Sequence, residues 1–278
     1  LQKVFATRSR ALEMLYLLED AKPALRFDAN EAELRHILLF CKDNGLFLEV
    51  SDFKVRKVAD LGKGSFSNRV EVLPKESSEP GLYHLYISKD EENTKKLKDA
   101  EKNQDDAVIG ALLGYPKCCI DFFEKNKKKQ SEQQNDFILP AFENSSGHEF
   151  PFWTNCLGRY FDVALINHFP HDFHCKDSIA LAKSNFEIIK KYDEQLALHM
   201  QSFLQCAALY TEFEGVFLLR ECSIDENACH FENIESTQKN RLHELLEKGK
   251  KISFKDKNKI VVLGNALEDS AFMVFKNL

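Results

Sequence analysis

DSIALAKSNFEIIKKYDEQLALHMQSFLQCAALYTEFEGVFLLR, residues 177–220, contains the change of pattern on which the fold class turns. Up to Leu209 the apolar residues keep helical spacing, with Ile179, Ala182, Phe186, Ile188 and Ile189 on one broad face. This periodicity predicts one long helix over 177–209. Past Tyr210 the pattern shortens. Gly215-Val216-Phe217-Leu218-Leu219-Arg220 is an apolar run of strand length, and residues 229–234, 251–254, 259–263 and 272–275 have the same character. One helix, over 236–247, is expected to interrupt them.

Toward the N-terminus, residues 12–18 and 31–40 read as helices, and Asn44-Gly45 marks a helix end. Strands are expected at 46–50, 54–58, 69–73 and 83–88, with a loop at 75–81. Residues 90–102 read as a charged, exposed helix. Residues 105–113 form a second helix with Val108, Ile109, Leu112 and Leu113 on one side. Residues 125–135 are polar and suggest a loop or a frayed helix end, residues 140–153 look irregular, and residues 156–167 suggest a helix. Strands and helices are segregated rather than alternating, which argues for an α+β class. The expected plan is N-terminal helices with a small sheet (1–104), a helical middle (105–210) and a small C-terminal α+β part (211–278).

Length and composition limit the alternatives. A chain of 278 residues can bury a real core without disulfide staples, and 44% hydrophobic with 29% charged residues is a globular balance. Disordered, collagen-like and disulfide-scaffold chains are excluded. No apolar run reaches the ~18 to 20 residues that span a bilayer. The net charge of −6 gives no global basic field, which argues against a nucleic-acid partner. Lysine clusters at Lys95, Lys96 and Lys98, at 125–129 and at 248–259 sit among acids and amides, so they read as solvated faces, with a guiding strip for an anionic ligand as the alternative. The first residues lack the apolar stretch of a secretory signal, so the eight cysteines point to the reducing cytoplasm. There they serve as core thiols, metal ligands or reactive thiols.

Leu61-Gly62-Lys63-Gly64-Ser65-Phe66-Ser67-Asn68-Arg69-Val70 has the look of a kinase glycine-rich loop, but Ser67 replaces the third glycine. The remaining kinase motifs and a Gly-Lys-Ser/Thr ending are missing, so a hairpin or loop is expected.

Two segments carry chemistry. In Gly114-Tyr115-Pro116-Lys117-Cys118-Cys119-Ile120-Asp121-Phe122-Phe123, Pro116 suits a helix start and puts both cysteines in the first turn. The helix dipole there favours thiolates, so lowered thiol pKa values are expected for cysteines that are not fully buried. In His168-Phe169-Pro170-His171-Asp172-Phe173-His174-Cys175, three imidazoles and a thiol crowd a short connection, and Pro170 breaks the preceding helix. Asp177 and Ser178 offer an N-cap to the next. His and Cys are the usual ligands of zinc and iron. The metal-ligand candidates are therefore Cys118, Cys119, His168, His171, His174 and Cys175, with Cys156 in reserve. Ordinary core packing is the competing explanation, because cysteine is among the most buried residue types. Cys41 and Cys206 read as core. Cys222 and Cys229 form a candidate disulfide or second metal pair. His84, His199, His230 and His243 read as surface or structural residues.

The run from Tyr86-Ile87-Ser88-Lys89-Asp90 through Gly114-Tyr115-Pro116-Lys117-Cys118-Cys119 resembles the uncharacterised prokaryotic family catalogued as domain of unknown function 483, found in archaea and some bacteria. Gly-Tyr-Pro-x-Cys-Cys is its most specific mark. The later segment is similar to a family pattern of His-x-Pro-Cys followed by another Cys. His168-Phe169-Pro170 matches it, His171 stands where Cys is expected, and Cys175 matches the second Cys. The departure implies a mixed His/Cys site or a lost one. The resemblance covers about half the chain, and the family supplies no activity.

Three functions follow. The first is a metalloprotein, an enzyme acting on a small molecule through zinc, iron or an iron–sulfur cluster, with Cys118 and Asp121 as catalytic candidates and Glu124 as an alternative base. The second is metal-free thiol chemistry in redox or sulfur transfer, with Cys118 or Cys119 as nucleophile and His168 or His174 as base. The third is a binding module held together by a structural zinc. A metal requires the ligand atoms to converge to roughly 3 to 4 Å of one another.

Overall fold

The computed structural model describes residues 1–58, 69–131, 136–255 and 259–278. In the deciding stretch the expected long helix is two helices, Lys176–Tyr192 and Glu194–Leu204. Asp193 separates them. Its backbone is extended, and its side chain accepts from the Leu196 amide to start the second helix. The helical pattern also overran into strand Ala207–Thr211, which is paired antiparallel with both Gly215–Arg220 and Ser270–Lys276. Pairing on both edges overrides local periodicity there.

These strands form the centre of a five-stranded sheet ordered Asn233–Ser236, Gly215–Arg220, Ala207–Thr211, Ser270–Lys276, Glu149–Pro151, in which only the last pairing is parallel. The apolar runs are continuous because both faces are covered. Ala208, Tyr210, Val216, Leu218, Ala271, Met273 and Phe275 point into the largest core, among helix and loop residues such as Phe142, Phe173, Phe186 and Met200. Their neighbours Ala207, Leu209, Phe217, Leu219, Phe272 and Val274 point the other way, toward Leu242, Leu246, Ile252 and Ile260. That second layer is a five-stranded sheet (Asn265–Leu267, Ile260–Val262, Lys251–Phe254, Ala228–His230, Ser223–Ile224) with helix Arg241–Gly249, which starts later than expected because Asn240 caps it.

At the N-terminal end, strand Tyr83–Ser88 lies between Ala24–Ala29 and Phe47–Val50. Leu25, Leu85 and Ile87 pack against helices Arg8–Leu18 and Glu31–Asp43, and Ala24 and Tyr86 pack against Glu91–Asn103 and Asp106–Leu112. Strand Ala24–Ala29 escaped the sequence reading, although Leu25, Phe27 and Ala29 alternate with Arg26 and Asp28 as in a half-buried strand. Strands Phe53–Lys57 and Val70–Pro74 pair antiparallel. Residues 61–68 of the glycine-containing loop lie outside the described residues. The class is α+β, and no described helix is long and apolar enough to cross a membrane.

The polar stretch at 125–131 is the end of helix Lys117–Ser131, one of the two readings the sequence offered, while 132–135 lie outside the described residues. Two other middle segments differ from expectation. The irregular stretch contains helix Ile138–Asn144, strand Glu149–Pro151 and a 3₁₀ turn, Phe152–Thr154, with Pro140 tolerated in a first helical turn. The helix expected at 156–167 is a 3₁₀ segment, Cys156–Phe161, that stops at Asp162 in the left-handed region. The Asp162 carboxylate accepts from the Arg8 and Ser9 amides, tying this segment to the start of helix Arg8–Leu18.

Candidate metal centre

Two helix starts build the centre. Helix Asp106–Leu112 ends in a turn at Gly114, whose φ of +74° favours glycine. The Pro116 carbonyl then accepts from the Cys119 and Ile120 amides, opening helix Lys117–Ser131 with Cys118 and Cys119 in its first turn. On the other side the cap of helix Lys176–Tyr192 is Cys175, and not Asp177 or Ser178 as the sequence suggested. Its sulfur accepts from the Ser178 amide at 3.4 Å.

Between His168 and Cys175 the chain has no regular structure, yet it is tightly held. Arg159, 8% exposed, donates to the His168 carbonyl at 2.9 Å and lies over the Phe169 ring. Thr154 donates to the Phe173 carbonyl at 2.6 Å, Ser145 accepts from the Phe173 amide at 2.8 Å, and Asn144 donates to the His171 carbonyl at 3.1 Å. These bonds fix where His171 and Cys175 sit.

The result is a group of four ligand atoms, from Cys118, Cys119, His171 and Cys175, all within 4.8 Å of one another. The sulfur separations are 3.9 Å for Cys118–Cys119, 3.7 Å for Cys118–Cys175 and 3.8 Å for Cys119–Cys175. His171 Nδ1 lies 3.6 Å from the Cys119 sulfur. Cys119 and Cys175 are buried, and Cys118 is half-buried. The group could hold a metal ion.

The other candidates lie elsewhere. His168 is buried, and its Nε2 sits 2.8 Å from Ser178 Oγ. His174 stands beside Asp172, 3.5 Å away, with its ring edge-on to Phe150. Neither joins the four atoms. Asp121 is paired with Lys117 at 2.7 Å on the exposed side of its helix. Cys156 is buried in the main core, and Asn155 donates to the Leu204 carbonyl. Cys41 and Cys206 are buried, as expected. Cys222 and Cys229 are free thiols, and no second metal group forms among the described residues.

Sequence reasoning missed Ser178 as a partner of the site. Its hydroxyl lies 3.4 Å from the Cys119 sulfur and also meets His168. The signal was its position three residues after Cys175, one helical turn into the helix.

The electrostatics separate the thiols. Cys175 is brought down to about 4, first because the Cys119 thiol donates to it, then through the Ser178 side chain and amide. Cys118 is pushed up to about 11 by burial and by the Cys175 charge beside it. Cys119 is also raised, by its bond to Cys175 and by burial. The lowering expected for the Cys118-Cys119 pair is therefore found on Cys175 instead. Without a metal, one charge serves three sulfurs, since a second thiolate would face the first at close range. His168 is held down to about 3 by burial and by Arg159, so its imidazole is neutral.

No family model matches the chain, and neither curated proteins nor solved structures yield a match.

Proposed function

We propose that the protein binds one metal ion, zinc in first place, through Cys118, Cys119, His171 and Cys175. The observation that carries this reading is the set of spacings: 3.7–3.9 Å among the three sulfurs, 3.6 Å from His171 Nδ1 to the Cys119 sulfur, and all four ligand atoms within 4.8 Å of one another. Zinc bonds of about 2.3 Å to sulfur and 2.0–2.1 Å to nitrogen, set at tetrahedral angles, separate their ligands by roughly 3.5–3.8 Å. An iron–sulfur cluster divides its ligands among separate irons and needs wider spacing than this. Three thiolates with one imidazole suit zinc better than a hard, oxygen-seeking ion.

Four protein ligands leave no position for water, so the ion acts as a structural brace between the starts of helices Lys117–Ser131 and Lys176–Tyr192. This favours a zinc-held binding protein over metal-based hydrolysis with Asp121 as base. The resemblance to the family of unknown function supports the same site, because the two segments that carry it are the two that converge. Stable thiolate ligation also suits the reducing cytoplasm.

Metal analysis after purification under reducing conditions tests the reading. About one zinc per chain is expected, with cobalt substitution giving the visible spectrum of a tetrahedral thiolate site. A metal-free, fully folded protein that takes up neither ion overturns it. A second reading, thiol chemistry at Cys118, is favoured by that sulfur's partial exposure. It calls for rapid alkylation of Cys118 in the metal-free protein at neutral pH, and the rise of that thiol to about 11 argues against it.

A further inference from the structure

The three sulfurs of the centre are not equally protected. The Cys119 sulfur accepts from the His171 amide and the Cys175 sulfur from the Ser178 amide, both at 3.4 Å. These two cysteines are 3% and 4% exposed. Cys118 is half-buried, and among the described residues no amide donates to it. Its sulfur meets those of Cys119 and Cys175 at 3.9 and 3.7 Å, and its thiol donates to the exposed Asp177 carboxylate at 3.7 Å. A ligand thiolate open to solvent is the one that a dissolved oxidant reaches first.

Geometry then chooses the partner of Cys118. Cys119 is its neighbour in the first turn of helix Lys117–Ser131. Consecutive Cα atoms stand about 3.8 Å apart, under the ~4.4 Å lower end of the ordinary disulfide range, so a bond between them would strain the joining peptide. Cys175 has no such constraint, and its sulfur is the nearer of the two. It belongs to the other helix start, where it caps Lys176–Tyr192. A disulfide of about 2.05 Å asks these two sulfurs to approach by roughly 1.7 Å, a distance on the scale of a side-chain rotation.

Resting on the zinc reading above, we propose that Cys118 and Cys175 are joined reversibly as a disulfide by small disulfides of the glutathione class, and that this releases the ion. The Cys118 thiolate attacks one sulfur of the small disulfide, which forms a mixed disulfide and frees one thiolate. The Cys175 thiolate, 3.7 Å away, attacks the Cys118 sulfur and expels the second. Two ligand thiolates thus lose two electrons in total, and one small disulfide becomes two thiolates that take protons from solvent. Cys119 and His171 remain, which is half of a structural zinc set. The new bond spans the same two helix starts as the ion, so the fold persists and reduction restores the site.

Treatment of the zinc-loaded full chain with glutathione disulfide tests the proposal. A chromophoric chelator follows zinc release, and mass spectrometry of non-reduced proteolytic fragments, with fragmentation between Cys118 and Cys119, maps the cysteine pairs. Zinc loss is expected to be about tenfold or more faster than with chelator alone, with one zinc released per Cys118–Cys175 disulfide. Dithiothreitol with added zinc should reverse both. Cys222→Ser, which alters a thiol outside the centre, should release zinc at the parent rate. Zinc content before treatment tells two failures apart. A chain without zinc overturns the metal reading and the release with it, whereas a chain that keeps its zinc through oxidation overturns the release alone. A disulfide between other ligand cysteines, a mixed disulfide that persists on Cys118, or loss of the release in Cys222→Ser also overturns the proposal.

Discussion

Cys119 and Cys175 lie 56 positions apart in the chain, yet their sulfurs stand 3.8 Å apart, each in or beside the first turn of its own helix. Two helix N-termini thus aim positive ends at one cluster of sulfurs, and backbone amides reinforce them. The His171 amide donates to the Cys119 sulfur, and the Ser178 amide donates to the Cys175 sulfur, both at 3.4 Å. This arrangement stabilises thiolates, which is what a metal requires of its ligands.

Removing a ligand therefore unbinds the ion and loosens the join between the two helices. Cys119→Ser and Cys175→Ser are expected to purify with metal stoichiometry near zero, whereas Cys41→Ser, in a core distant from the group, keeps it. Chelation should lower the melting temperature of the parent protein but not of the ligand variants. With free zinc at about a thousand times its dissociation constant, the lost stabilisation is about 4 kcal/mol. Equal melting curves with and without chelator would show that the ion braces nothing.

Proton release follows from the unequal thiols. Near pH 7, Cys175 is ionised, with its pKa brought down to about 4, while Cys118, pushed up to about 11, and Cys119, also raised, keep their protons. The ion must displace the protons of Cys118 and Cys119 but none from Cys175. Titration in buffers of different ionisation enthalpy should thus count about two thiol protons per ion, and affinity should fall as pH falls. In the metal-free protein, Cys175 has a depressed folded-state pKa. Its contribution to stability is full above the unfolded value near 9 and fades as pH falls toward about 4. Release of three thiol protons would show that Cys175 is not the resident thiolate.

Ser178 joins the centre to His168, with Oγ at 3.4 Å from the Cys119 sulfur and 2.8 Å from His168 Nε2. Ser178→Ala removes both contacts and leaves the buried imidazole without its one side-chain hydrogen-bond partner among the described residues. Metal affinity is expected to fall roughly 10- to 100-fold, as for other partners of metal ligands, and stability by about 1–3 kcal/mol. Competition with a chromophoric chelator gives the first number and denaturant unfolding the second. Unchanged affinity would reduce Ser178 to a packing residue.

Elements with their own local signal were legible in the sequence. Tyr83–Ser88 and Lys251–Phe254 fall where the apolar runs put them, and helix Glu31–Asp43 is bounded by a capping box from Asn30 and Glu33 and by Asn44. Four of the six ligand candidates were brought together because Pro116 and Cys175 both start helices. The rest depended on contacts between distant segments. Strand Ala24–Ala29 exists because Tyr83–Ser88 pairs with it. The turn from His168 to Cys175 is held by Asn144, Ser145, Thr154 and Arg159, and nothing local in the sequence marks those residues as its supports. Spacing alone could not choose His171 over His168 or His174, since the three recur at every third residue.

The 3₁₀ segment Cys156–Phe161 carries Arg159 to the His168 carbonyl, and Gly158 sets how closely it can pack. A Cβ on Gly158 would stand 2.1 Å from the Val163 carbonyl oxygen and 2.6 Å from a methyl of Leu204. The Leu204 side chain can turn away, but the Val163 oxygen belongs to the backbone, and the Val163 amide is bonded to the Gly158 carbonyl at 2.9 Å. Gly158→Ala must therefore shift the segment, with an expected cost of about 3 kcal/mol or more. Gly45→Ala is the control. Gly45 has a φ of +64° but nothing within 4 Å of a new Cβ, so only the left-handed backbone penalty of roughly 1–2 kcal/mol applies. Because the moved segment includes Arg159, Gly158→Ala should also weaken metal binding, while Gly45→Ala leaves it unchanged. Denaturant unfolding and chelator competition on the two variants separate these effects. Equal destabilisation of both would mean that the Cys156–Phe161 segment yields more readily than its backbone contacts imply.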